Sequence, residues 1–141
     1  MTMRQIKFRG KNAKDEWVYG SLIINETEND KGKFQLAFIV PDLPCASNGG
    51  DFYTGRMERV KPETIGQFTS LRDINGKDIY EGDILGMDGE KERLEVRFVR
   101  GVFAFLWNGD LDDEFPTGSP THEWALVVGN IHDNPKIIKR K

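Results

Sequence analysis

The chain is predicted to be a mainly β protein, a small barrel or sandwich of short strands with little helix. Three observations predict it. Apolar and polar residues alternate at period two in several stretches. Nowhere does an i, i+3, i+4, i+7 pattern persist along the chain. Gly, Asn, Asp and Pro punctuate the sequence at short intervals, as turns between strands require. Period-two alternation sends successive side chains to opposite faces, so each stretch reads as a ribbon with one wet and one dry side.

Taken in order, "QIKFR" places Ile6 and Phe8 on one face, and "EWVYGSLII" follows after the turn-rich "GKNAKD". This predicts an opening hairpin. In "KFQLAFIV", Phe34, Leu36, Phe38 and Val40 share a side, read as the buried face of a strand that Pro41 ends. Residues 41–55, rich in Pro, Gly, Asn and Ser, are predicted to be an irregular surface loop. Pro62 followed by Glu63 predicts a single helical turn, because Pro is tolerated where no intrahelical donor is needed.

"TIGQFTSLRDINGKDIYEGDIL" holds two reversals, Asn75-Gly76 and Glu81-Gly82-Asp83. The first is predicted to be a type I′ turn, in which both central residues take positive φ. The stretch therefore reads as a fold-specifying hairpin unit. Its apolar members Ile65, Phe68, Leu71, Ile79, Ile84 and Leu85 are assigned to the core. "RLEVRFV" and "VFAFLW" are predicted to be strands joined tightly at Arg100-Gly101, residues 108–121 a second loop, and "EWALVVG" the last strand.

At 141 residues and 16.1 kDa the chain fits one domain spanning 1–141, or two intertwined β subdomains of about 1–60 and 61–141. The lone cysteine, Cys45, excludes an internal disulfide and suits a reducing compartment. No apolar run is long enough to span a membrane and "MTMRQIKFRG" lacks a signal-peptide core, so a soluble, cytoplasmic protein is expected. A net charge of −3 describes a mixed surface rather than a polyanion binder, although "RQIKFRGKNAK" and "KIIKRK" are locally basic.

Three blocks, "RQIKFRGKNAKDEWVYG", "VKPETIGQFTSLRDINGKDIYEGDIL" and "LVVGNIHDNPKII", together resemble the YopX-like proteins of phages and prophages. The middle block is the most specific. The sequence departs from the family pattern at Gly10-Lys11 and His132-Asp133. The resemblance implies a mainly β fold with an SH3-like, partly open barrel and additional hairpins, a phage or prophage origin, and self-association into a homo-oligomer. It implies no catalytic activity.

The residues themselves offer few chemical motifs. Asp73, Asp78, Glu81 and Asp83 could surround a divalent cation, but each flanks a turn, where carboxylates ordinarily accept backbone N–H bonds. The calcium-loop pattern is absent, and His122 and His132 lie outside zinc-ligand spacings. Cys45 has no neighbouring base in sequence. No nucleophile elbow and no phosphate loop occurs, so no catalytic residue, metal or cofactor is assigned. Basic residues interleaved with aromatics remain: Lys7, Arg9, Trp17 and Tyr19, then Tyr53, Arg56 and Arg59. On a barrel face such a set could stack bases and follow phosphates, or bind another macromolecule. The leading expectation is a non-enzymatic binding or assembly module. A nucleic-acid-binding regulator of replication is the alternative, and a metal-dependent hydrolase the third reading.

Overall fold

A computed structural model of the chain describes residues 4–41, 57–116 and 120–138. The strands form two antiparallel sheets, and neither closes into a barrel. The mainly β class with little helix is as the sequence predicts. Two compact units divide the chain, one of Gln5–Gln67 and one of the residues from Phe68 onward.

The first unit contains β1 (Phe8–Lys11), β2 (Trp17–Asn29), β3 (Gly32–Pro41), β4 (Glu58–Val60), a 3-10 turn (Pro62–Thr64) and the start of β5 (Gly66–Arg72). The expected opening hairpin forms, with Lys11 opposite Trp17 and Phe8 opposite Gly20. Asn12 shapes its turn, its Oδ1 accepting the N–H groups of Lys14 and Glu16. β2 and β3 then pair without interruption from Gly20–Pro41 to Asn29–Gly32. Across β3, β4 places Val60 opposite Ala37 and Arg59 opposite Phe38.

This register corrects the expected buried face of β3. The core cluster is Val18, Ala37, Ile39 and Val60, with Leu22 and Ile65 packed against it. Phe34, Leu36, Phe38 and Val40 occupy the other face. In "LAFIV" both parities are apolar, so alternation could not choose between them. Gly10 helps decide: a Cβ there would lie 3.0 Å from the Val60 side chain, so β1 closes tightly over the Ala37–Ile39 face. Of the pair that alternation places on one face, Ile6 is exposed and Phe8 is half-buried.

The second unit holds the rest of β5, then β6 (Asp78–Tyr80), β7 (Asp83–Gly86), β8 (Leu94–Val99), β9 (Val102–Trp107), β10 (Glu114–Phe115), α1 (Thr121–Trp124) and β11 (Leu126–Asn130). Its sheet runs β10-β9-β8-β7-β11. Ile79, Leu85, Leu94, Val96, Phe105 and Ala125 form the core. Each of these side chains larger than Ala125 contributes about 1.5–3 kcal/mol by leaving water. Phe105, Phe115 and Trp124 seal one side, with Phe115 and Trp124 centroids 4.8 Å apart.

Of the six residues assigned to the core from the middle block, Phe68, Ile79, Ile84 and Leu85 are buried and Ile65 is half-buried. Leu71 is 38% exposed, because Ser70 takes a left-handed φ of 71° and the β5–β6 register shifts there. The type I′ expectation also fails at Asn75-Gly76. Only Gly76 has positive φ, and its N–H closes the turn onto the Asp73 carbonyl. Arg100-Gly101 instead carries two positive φ values, 50° and 81°, between β8 and β9. "EWALVVG" is shorter as a strand than expected. Glu123 and Trp124 belong to α1, whose Thr121 hydroxyl donates to the Arg72 carbonyl, and Trp124 turns onto the aromatic cluster. Among the described residues no helix is long and apolar enough to cross a membrane.

Candidate partner-binding face

Pairing in the first unit fixes which side chains stand together, because directly opposed residues of adjacent strands share a face. Opposite the core face lie Arg9, Lys11, Trp17, Tyr19 and Ile23 of β1 and β2, Phe34, Leu36, Phe38 and Val40 of β3, and Arg59 of β4. Tyr19, Ile23 and Phe34 are 42%, 39% and 37% exposed. Leu36, Phe38 and Val40 are half-buried. A strip of large apolar side chains therefore remains in contact with water on this sheet, where it costs free energy until covered.

The sequence-assigned residues divide over this face. The Arg9 guanidinium lies 4.5 Å from the Trp17 ring centroid and the Lys11 ammonium 5.3 Å from it, and both cationic residues are buried. These contacts hold the ring and the charges against each other. Lys7, just before β1, is half-buried, and Tyr19 faces water. Arg59 is exposed at the sheet edge opposite Phe38, which in turn lies opposite Ile23 of β2, four residues along from Tyr19. Tyr53 and Arg56 lie outside the described residues, as does Cys45. Sequence reasoning missed Lys11, the exposed Ile23 and Phe34, and the half-buried Phe38. Arg59 opposite Phe38 is the register fact that would have found them, and it is not readable from alternation.

Asp73, Asp78 and Asp83 of the middle block are engaged with the backbone or with a neighbouring cation. Asp73 Oδ1 accepts from the N–H groups of Asn75 and Lys77, each at 2.9 Å, and Oδ2 from Val127 at 3.0 Å. Burial by itself pushes this carboxyl up. The three N–H bonds and the Lys77 ammonium outweigh it and hold the group below its ordinary value. Asp83 Oδ2 accepts from the Tyr80 N–H at 2.7 Å, and Asp78 pairs with Arg72 at 2.9 Å. Glu81 is half-buried. Among the described residues no group of His, Cys, Asp and Glu is arranged to hold a metal ion. His122 is exposed beside Glu123, and His132 donates its backbone N–H to Asn130 Oδ1.

A concavity of about 480 Å³ opens in the second unit between Glu92, Arg97, Trp107 and the acidic turn Asp110–Asp113. Asp110 Oδ1 there accepts the Asp112 N–H. Arg97 is tied to the buried Glu95 at 2.8 Å.

Comparison with known proteins agrees with this architecture. No curated protein matches the chain. A crystal structure of protein EF1440 from Enterococcus faecalis is similar over 97% of this chain and 100% of that one, with a TM-score of 0.56 and 23% identity. That likeness is one of fold. The profile of the family described as YopX protein matches residues 7–139. The chain belongs to the YopX protein family.

Proposed function

We propose that the protein is a non-enzymatic binding and assembly module, which self-associates and engages a polypeptide partner across the open face of its first sheet. The observation that carries the reading is the placement of Tyr19, Ile23 and Phe34 in water while smaller residues such as Ala37 fill the core. A strand that evolved only to fold would keep its larger apolar side chains on the dry side. A phage or prophage setting and a bacterial cytoplasmic location rest on the family resemblance.

A second reading, binding of single-stranded nucleic acid, draws support from Tyr19 and Arg59, which offer a ring and a cation on one face. Against it, Arg9 and Lys11 are buried on Trp17, and phosphate contacts need cations at the surface. The third reading, a metal-dependent hydrolase, draws nothing from Asp73 and Asp83, whose oxygens serve backbone N–H groups.

The discriminating experiment captures partners on tagged parent protein and on a Tyr19→Glu, Phe38→Glu variant, with and without nuclease. A nuclease-resistant polypeptide bound by the parent and lost by the variant supports the module reading. Recovery that nuclease abolishes, and that Arg59→Glu weakens, replaces it with the nucleic-acid reading.

A further inference from the structure

We infer that the open face of the first sheet seats an amphipathic α-helix of another polypeptide, one that carries carboxylates along the border of its apolar stripe. This rests on the module reading above and names the partner's chemistry.

A sheet with apolar side chains on one face needs one covering layer, and a sheet with apolar side chains on both faces needs two. The first sheet is of the second kind. Ala37 and Ile39 of β3 lie in the core cluster, while Leu36, Phe38 and Val40 alternate with them on the open face. Among the described residues the chain's own helical segments are too short to cover it, being the three residues Pro62–Thr64 and the four residues Thr121–Trp124.

The dimensions of the strip suit one helix. Its apolar side chains stand on β2 and β3, and β1 and β4 border them. At about 4.8 Å per strand the two borders lie about 14 Å apart, and a helix with its side chains is about 10–12 Å across. From Tyr19 to Thr27, which is opposite Phe34, the strip runs along β2 for about 27 Å, the length of about 18 helical residues.

Charge sets the border of that helix. Alternation sends Glu26 and Glu28 of β2 and Glu58 of β4 to the core side of the sheet, opposite Gln35, Lys33 and Ile39. The described strand residues on the open side of β1–β4 include no carboxylate. The cation a partner reaches there is Arg59, exposed beside Phe38, because Arg9 and Lys11 are buried against Trp17. In a chain of net charge −3 this segregation favours carboxylates beside the stripe and disfavours lysines. Single-stranded nucleic acid also brings anions, but its affinity comes from many phosphate contacts, and one reachable cation does not supply them.

Fluorescence anisotropy with three labelled helical peptides of about 18 residues tests the inference. One has a leucine stripe bordered by glutamates, one the same stripe bordered by lysines, and one the glutamates with serines in place of the stripe. The first should bind at least about tenfold more tightly than the others, Arg59→Glu should weaken it about fivefold, and Tyr19→Glu, Phe38→Glu should abolish it. Equal or tighter binding of the lysine-bordered peptide, lost in the Tyr19→Glu, Phe38→Glu variant, overturns the acidic helix and leaves the open face standing as a polypeptide site. No binding of either striped peptide overturns the helix. Binding of the glutamate-bordered peptide that the Tyr19→Glu, Phe38→Glu variant retains overturns both the helix and the face. A thymidine oligonucleotide that binds more tightly and displaces the glutamate-bordered peptide replaces the inference with the nucleic-acid reading.

Discussion

Asp73 is the most informative residue to change, because one carboxylate joins the β5–β6 turn to β11. Its oxygens accept from Asn75 and Lys77 on one side and Val127 on the other, and the residue is 2% exposed. Asp73→Asn keeps the shape. Its oxygen can still serve two of the N–H groups, but its NH2 then faces the third, placing two donors together where water has little access. Losing a charged acceptor costs about 1.5–3 kcal/mol, and an unsatisfied buried N–H about 1–3 more, so a loss near 3 kcal/mol is expected. The pH dependence is a second signature. The folded carboxyl is held below its ordinary value of 3.8, so its contribution is fully present above the unfolded pKa and is lost as pH falls through the folded one. Urea unfolding of parent and variant at pH 7, and in steps down through the acid range, measures both. The gap should be about 3 kcal/mol at pH 7 and should narrow in acid. A variant as stable as the parent at pH 7, or a gap unchanged in acid, would refute the role of the carboxylate.

The core assignment predicts that Ile84→Ala or Leu85→Ala lowers the urea unfolding free energy by about 2–5 kcal/mol, whereas Leu71→Ala lowers it by less than about 1 kcal/mol. In the β8–β9 turn, Arg100→Gly should stabilise by about 1 kcal/mol and Gly101→Ala should destabilise by about 1–2 kcal/mol, since both positions are left-handed; thermal melts resolve these signs. A Cβ on Gly20 would collide with the Val40 carbonyl oxygen. Gly20→Ala should therefore cost about 3 kcal/mol or more, read by the same denaturation and by loss of the β2–β3 amide correlations in NMR spectra.

What the sequence made legible follows from how local each signal is. The opening hairpin, the turn at Pro62, and the strands at Leu94–Val99 and Val102–Trp107 rest on alternation and turn residues within a few positions, and they form where predicted. The buried side of β3 does not, because "LAFIV" is apolar on both parities and the choice is made by Gly10 and Val60, far away in the chain. Asn75-Gly76 failed as a type I′ turn for a related reason. The Asp73 side chain and carbonyl organise a longer reversal that serves β11, a partner some fifty positions on. Trp124 left the last strand because Phe105 and Phe115 offered it a packed site. The candidate face was partly legible. Its aromatics were visible in sequence, but their exposure was a tertiary outcome, and the burial of Arg9 and Lys11 on Trp17 depends on cross-strand register.

Light scattering over a dilution series, on the parent and on a Tyr19→Glu, Phe38→Glu variant, tests the account at its centre. The parent should be heavier than 16.1 kDa when concentrated, and the variant should fall toward that mass. A parent of 16.1 kDa at the highest concentration reached, or a variant as heavy as an oligomeric parent, would contradict the claim that the open face of the first sheet is where the protein makes its contacts.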